Sequence, residues 1–185
     1  EKSSCQCAQI SEVEKTNQRR IKHFVELIRK ELWILSGKKL ALLGLTFKPN
    51  TDDVRFAPSI ALIKALMEEG ASVNAYDPQA AEKARPSLPN VNYCPDPYAA
   101  AQDADAILVV TEWAEFAEID WKRVASVVEH PLVIDGRNML EPETMANHGF
   151  HYVSIGRSSK YPVKHDVSDC ISADGPMSAF ADLLT

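Results

Sequence analysis

The chain has 185 residues, 45% of them hydrophobic, and a formal net charge of −6, which suits one packed domain with appendages. The acidic balance excludes a generally basic nucleic-acid-binding surface, yet leaves room for a local cationic patch that takes a small anion. The longest apolar runs, such as Ala106 to Val110, are far too short for a membrane span, and no charged-then-apolar leader opens the chain, so a cytoplasmic protein is expected.

The first residues hold Cys5 and Cys7, which with Cys94 and Cys170 match neither zinc-site spacing nor a compact disulfide framework. Free thiols and no metal are expected. Over 10–35, Ile10, Val13, Ile21, Phe24, Val25, Ile28, Leu32 and Trp33 recur at three- and four-residue steps, the pattern of a long one-sided helix. Two readings stay open for it: a connector that packs on another domain or a second copy, or an ordinary core helix.

Ser36-Gly37-Lys38-Lys39 breaks the helix, and Leu40-Ala41-Leu42-Leu43-Gly44-Leu45 follows as a continuous apolar run, the signature of a strand buried on both faces. Pro58 suits the first turn of the next helix, with Ile60, Leu62, Ile63, Leu66 and Met67 as its buried stripe and Gly70 as its cap. A strand over 73–78 ends in the acidic turn Asp77-Pro78 and completes a βαβ unit. Further strands are predicted over 91–94, 106–110, 132–135 and 150–155, alternating with helices over 97–102, 121–128 and 142–148. This alternation predicts an α/β fold, Rossmann-like and three-layered, with a mostly parallel sheet. The organisation is therefore a connecting helix over 1–36, an α/β domain over 37–157, and a polar, weakly patterned, flexible tail over 158–185 with room for a short helix near Phe180.

Right-handed crossovers place the strand-end loops on one sheet edge, where ligands of open α/β sheets bind. Three loops there carry polar groups: 47–55, 111–113 and 135–138. Lys48, Arg55 and Arg137 are expected to converge on a crevice suited to phosphate, since Arg grips it bidentately and Lys supplies a point charge. Phe47 either joins the core or wedges against a ligand ring. Asp52 and Asp53 are read as scaffolding, capping the Pro58 helix or pairing with Arg55. Glu112 and Trp113 are expected to pack at their strand end, and His148 and His151, separated by Gly149 at a strand start, are read as structural. No Gly-x-Gly-x-x-Gly turn follows a strand, and no Walker loop, nucleophile elbow or His-Glu-x-x-His motif occurs. From the residues alone this is an anion-binding α/β domain with no catalytic residue in view.

The stretch Gly44-Leu45-Thr46-Phe47-Lys48-Pro49-Asn50-Thr51-Asp52-Asp53-Val54-Arg55, followed by Ala57-Pro58-Ser59, resembles the C-terminal, nucleotide-sugar-binding domain of the UDP-glucose 6-dehydrogenases. Tyr76-Asp77-Pro78, Thr111-Glu112-Trp113, Asp135-Gly136-Arg137-Asn138 and Tyr152 to Arg157 occur in that family's order, so the resemblance covers about residues 12–157. It implies oxidation of UDP-glucose to UDP-glucuronate with two NAD, an N-terminal NAD-binding domain absent from this sequence, and a homodimer joined through a central helix whose end is the long helix here. It further implies that Phe47, Lys48 and Arg137 contact the substrate and that Arg55 contacts NAD held mainly by the other domain. The family's Gly-rich stretch with its nucleophilic cysteine is absent, and Phe56 stands where relatives usually carry an acidic or small polar residue. The chain alone is therefore expected to be inactive. Its rivals are a free-standing UDP-sugar-binding or dimerisation module, or a dehydrogenase of GDP-mannose or UDP-N-acetyl-mannosamine.

Overall fold

The computed structural model describes residues 2–163, with side chains from residue 17 onward. It opens with α1 (Lys2–Leu32), a helix of 31 residues that runs roughly 45 Å at 1.5 Å per residue. Phe24, Val25 and Ile28 are buried in the domain core, so this part of α1 is a core helix. Toward its N-terminus the same stripe surfaces at Ile21, Arg20 and Asn17. Trp33 ends the helix by taking a left-handed φ of 63° while its N–H donates to the Arg29 carbonyl at 2.8 Å. The expectation that Trp33 continues the apolar stripe is therefore corrected: that turn swings it outward, and it is 88% exposed.

The elements that follow are β1 (Lys39–Leu43), α2 (Pro58–Glu68), β2 (Ser72–Tyr76), α3 (Ala81–Ala84), β3 (Asn92–Tyr93) and α4 (Pro97–Ala101). After them come β4 (Ala106–Val109), α5 (Ala114–Glu118), α6 (Trp121–Val127), β5 (Leu132–Asp135), α7 (Pro142–Asn147) and β6 (His151–Ser154). The six strands form one parallel sheet in the order β3-β2-β1-β4-β5-β6. This is the Rossmann-like α/β architecture expected, and the order reverses between β1 and β4, which opens a crevice beyond their carboxyl ends. Strand residues alternate between two cores: Leu40, Leu42, Leu108 and Ile134 face the side of α1 and α2, and Ala41, Leu43, Ile107 and Val133 face the side of α4 and α6. Burial of both faces accounts for the unbroken apolar runs.

At the sequence boundaries, packing continues. Past residue 157 the chain turns back along β6, with Lys160 and Tyr152 exchanging backbone bonds at 2.7 and 2.9 Å, the Tyr161 ring stacked on His151 at 4.3 Å between centroids, and Lys160 paired with Glu143 at 3.0 Å. Residues 164–185 of the expected tail lie outside the described residues.

Two features set the shape of the sheet edge. Gly44, with φ +98°, brings the exit of β1 so close to that of β4 that a Cβ there would stand 2.5 Å from the Thr111 Cβ and 2.7 Å from the Thr111 nitrogen. Only glycine fits that backbone and that approach. The second feature is Asp77, buried at the end of β2. Its Oδ2 accepts from the Leu45 and Thr46 amides at 2.7 and 3.2 Å and from the Trp113 indole at 3.2 Å, and its Oδ1 accepts from the Gln79 and Ala80 amides at 3.0 and 2.9 Å. One carboxylate thereby joins the exits of β1, β2 and β4.

An amide at this position would turn a donor toward donors. Asp77→Asn is expected to cost about 2–4 kcal/mol of unfolding free energy, and Gly44→Ala a similar amount through its strained φ and overlap with Thr111. Urea titration followed by circular dichroism measures both. A loss below about 1 kcal/mol for either variant would show that the edge is held by something else.

Candidate functional site

At the switch point lies a cleft of about 1030 Å³, of the size that holds a mid-sized organic ligand. Its floor is the loop after β1 (Thr46, Phe47, Lys48), the exit of β4 (Val110, Glu112), the turn after β5 (Gly136, Arg137, Asn138) and Ile155 after β6, with Pro58 and Leu62 of α2 beside them. Its outer wall is α1, through Asn17, Arg19, Arg20, Ile21, His23 and Phe24.

Each loop is held by backbone bonds to buried acceptors. Asp77 fixes Leu45 and Thr46, the Thr111 hydroxyl donates to the Thr46 carbonyl at 2.7 Å, and the Ser59 hydroxyl donates to the Leu45 carbonyl at 2.6 Å. Phe47 then emerges, 54% exposed, into the cleft. It is therefore not a core residue. The β5 turn is built the same way around Asp135, wholly buried. That carboxylate accepts from the Arg137, Met139 and Leu140 amides at 2.8 to 2.9 Å and from the Tyr152 phenol at 2.9 Å. Burial and the adjacent Asp135 push the Tyr152 phenol well above its ordinary range, so it stays a donor.

The cations expected to converge separate into two groups. Lys48 and Arg137 both line the cleft. Arg55 does not, which corrects the expected three-cation cluster. Its guanidinium clasps Asp53 at 3.0 and 2.9 Å while its own amide donates to the same carboxylate at 2.9 Å, and its side chain is 81% exposed. A partner two residues away captures Arg55 before it can reach the crevice, and the clasp holds Asp53 down to about 2. Asp52 is paired instead with Lys83 at 2.5 Å, which lowers its pKa. No side chain caps α2, so of the two scaffolding roles considered for these carboxylates the ion pair is the one found.

Arg137 is bidentate to Glu112, with Nη2 2.6 Å from Oε1 and Nε also bonded to Oε2. Burial opposes charge on Glu112, but its bonds to Arg137 outweigh that and keep it below the usual carboxylate range. Lys48 forms no salt bridge within the described residues. Asn138, at a left-handed φ of 56°, donates its amide to the Ile155 carbonyl at 3.0 Å, and its buried Oδ1 has no partner among the described residues. Trp113 is buried and bonded to Asp77, a structural residue as expected.

Sequence reasoning missed the α1 wall. The signal was present in Asn17-Gln18-Arg19-Arg20, where a polar step falls on a stripe that should be apolar between Val13 and Ile21. Among the described residues the cleft carries Arg19, Arg20, Lys48 and Arg137 against the one carboxylate of Glu112, in a chain whose net charge is −6. Beside these charges stand Phe24, Phe47, Leu62, Val110 and Ile155. The arrangement fits a ligand that joins an anionic group to rings or other apolar surface. It does not fit the main site of a dinucleotide. The acid at the end of β2, which such sites turn toward a ribose, is consumed by protein donors here, and α2 begins fourteen residues past Gly44. No group of three or more metal-ligating side chains occurs among the described residues, nor does a helix among them have the length and apolarity to cross a membrane.

Residues 41–142 match the model of the UDP-glucose/GDP-mannose dehydrogenase family, UDP binding domain, a span that contains Phe47, Lys48, Arg55 and Arg137. The UDP-glucose 6-dehydrogenase of Rhizobium meliloti is 48% identical over 123 residues, covering 66% of this chain and 28% of that protein. That of Bacillus subtilis is 41% identical over 149 residues, 80% of this chain and 32% of that protein. A solved UDP-glucose dehydrogenase from the hyperthermophilic archaeon Pyrobaculum islandicum superposes with a TM-score of 0.61 at 34% identity, over 69% of this chain and 28% of that one. The chain spans about a third of the length of the curated relatives it matches. Matched to the family over more than half of its residues, the chain belongs to the UDP-glucose/GDP-mannose dehydrogenases and carries their UDP binding domain.

Proposed function

We propose that the chain is the nucleotide-sugar-binding part of a UDP-glucose 6-dehydrogenase, which as a whole oxidises UDP-glucose to UDP-glucuronate with two NAD. The observation that carries this is the cationic cleft with Lys48 and Arg137 on its floor, inside the stretch that matches a UDP binding domain. A UDP-sugar supplies the complementary ligand: a diphosphate for the cations, and uracil, ribose and hexose rings for the apolar wall. Lys48 takes the diphosphate as a point charge, Arg137 binds it or the sugar through its planar fork, and the exposed Phe47 packs on a ring. The curated relatives favour UDP-glucose over GDP-mannose or UDP-N-acetyl-mannosamine as substrate.

The main NAD site and the nucleophile belong to the part of the protein beyond this chain, and no catalytic residue is assigned here. Hydride acceptor, thiol and substrate must be held together for such chemistry, so the chain alone is inactive. Arg55, 81% exposed on its side chain, is assigned to the NAD carried by the other domain, which the guanidinium N–H groups not bonded to Asp53 are free to meet. Residues 1–36, through α1 and the turn that ends it, are assigned to a central helix region that joins two copies, 37–157 to the UDP-sugar domain, and 158–185 to a tail whose first residues, 158–163, return along β6. The unpaired thiol of Cys94 is in keeping with work in the cytoplasm.

Calorimetry of this chain with UDP-glucose is expected to give saturable binding, weakened roughly tenfold or more by Lys48→Ala. Arg55→Ala, outside the cleft, should change that affinity less than about twofold. No saturable heat at millimolar ligand would contradict the reading, as would NADH formation from UDP-glucose and NAD by this chain alone. Because the pKa of Asp53 is depressed, the Arg55 clasp is complete above the ordinary carboxylate range and is lost only as pH falls through about 2. Carboxyl-carbon NMR titration should find Asp53 still ionised near pH 3, and titration at an unperturbed carboxylate pKa of about 4 would show the clasp to be open in solution.

A further inference from the structure

We infer that Arg20 of α1 is a further positioning residue for the diphosphate, so that the long helix is a wall of the binding site as well as a connector. The inference rests on the nucleotide-sugar reading above and adds to it a residue outside the stretch matched to the UDP binding domain, which begins at residue 41.

The geometry starts at Phe24. A Cβ on Gly136 would meet the Phe24 ring at 3.1 Å and the Val109 carbonyl at 3.1 Å, so the ring lies directly against the backbone beside Arg137. Glycine at 136 makes that approach possible. Arg20 is one turn N-terminal of Phe24 on the same helical face, about 6 Å along the axis. Side chains on a helix lean toward its N-terminus, and Arg20 lines the same cleft as Arg137 and Lys48. The α1 stripe is thus apolar where it seats on the domain, at Phe24 and Ile28, and cationic where it overhangs the cleft.

Charge balance gives the same answer. A nucleoside diphosphate ester carries two negative charges. Arg137 already shares its guanidinium with Glu112, and Lys48 supplies one compact charge. The remaining cationic side chains on the cleft come from α1, and of these Arg20 lies on the face that Phe24 docks.

Arg20→Gln in the intact 185-residue chain should weaken UDP binding roughly tenfold, lose that difference at high salt, and leave the weak binding of uridine, followed by amide NMR shifts, unchanged. Lys30→Gln removes the same charge from an exposed position on α1 away from the cleft and should change nothing, while Arg20→Lys should restore part of the affinity. If Arg20→Gln behaves like Lys30→Gln while Lys48→Ala still weakens UDP, the role of Arg20 is overturned and the nucleotide-sugar reading stands. Equal weakening of uridine and UDP by Arg20→Gln would also overturn it, because a displaced helix, not a lost charge, would then be responsible. Absence of UDP binding by the unsubstituted chain would overturn the nucleotide-sugar reading and this inference together.

Discussion

The carboxylate of Asp77 accepts hydrogen bonds from the exits of β1, β2 and β4 at once, and the geometry of the cleft follows from it. Buried carboxylates persist only when their lone pairs are satisfied, and here five backbone and indole donors do so. The bonds to Leu45 and Thr46 aim the chain so that Phe47 and Lys48 come out over the crevice. The bond from Trp113 fixes the loop that carries Glu112, and Glu112 in turn holds Arg137. In a dinucleotide-binding sheet the acid at this place reaches for a ribose. Turning it inward gives up that site and yields a rigid edge for a different nucleotide.

Asp135 repeats the device at the next loop. Its bonds to the Arg137, Met139 and Leu140 amides and to Tyr152 fold the β5 turn tightly enough that Gly136 can accept the Phe24 ring. Helix α1 is thereby seated on the loop that presents Arg137. The distribution of charge follows the same scaffold. An acidic chain with cations gathered at one cleft attracts an anionic ligand to that cleft and little to the rest of its surface. Glu112 moderates this field and fixes the orientation of Arg137, so that the guanidinium fork is already directed before a ligand arrives.

Much of the fold was legible because its signals are local. Continuous apolar runs marked β1, β4 and β5, Pro58 marked the start of α2, and Gly70 marked its end, each for a backbone reason that needs no partner. The helices α3 and α5 are not legible because four or five residues carry too little periodicity to read and neither opens on the proline and capping aspartate that mark the equally short α4. Site residues divided along the same line. Phe47, Lys48 and Arg137 follow from their strand ends, since topology alone carries those loops to one edge. Arg55 was placed in the cleft by its charge, and only the structure reveals that Asp53 captures it. Arg20 and Asn17 were passed over because docking of α1 against Gly136 is a tertiary event, recorded in the sequence only as a polar interruption of an apolar stripe.

Under the proposed function a nucleoside diphosphate lies across the β1–β4 switch point between the Phe47-Lys48 loop and the Arg137 turn. A crystal structure of the chain with UDP-glucose tests it most directly. Phosphate oxygens are expected within about 3 Å of the Lys48 ammonium and the Arg137 guanidinium, with Asp77 still bonded to its protein donors. A nucleotide bound through Asp77 at the end of β2, or anywhere outside the cleft, would contradict it.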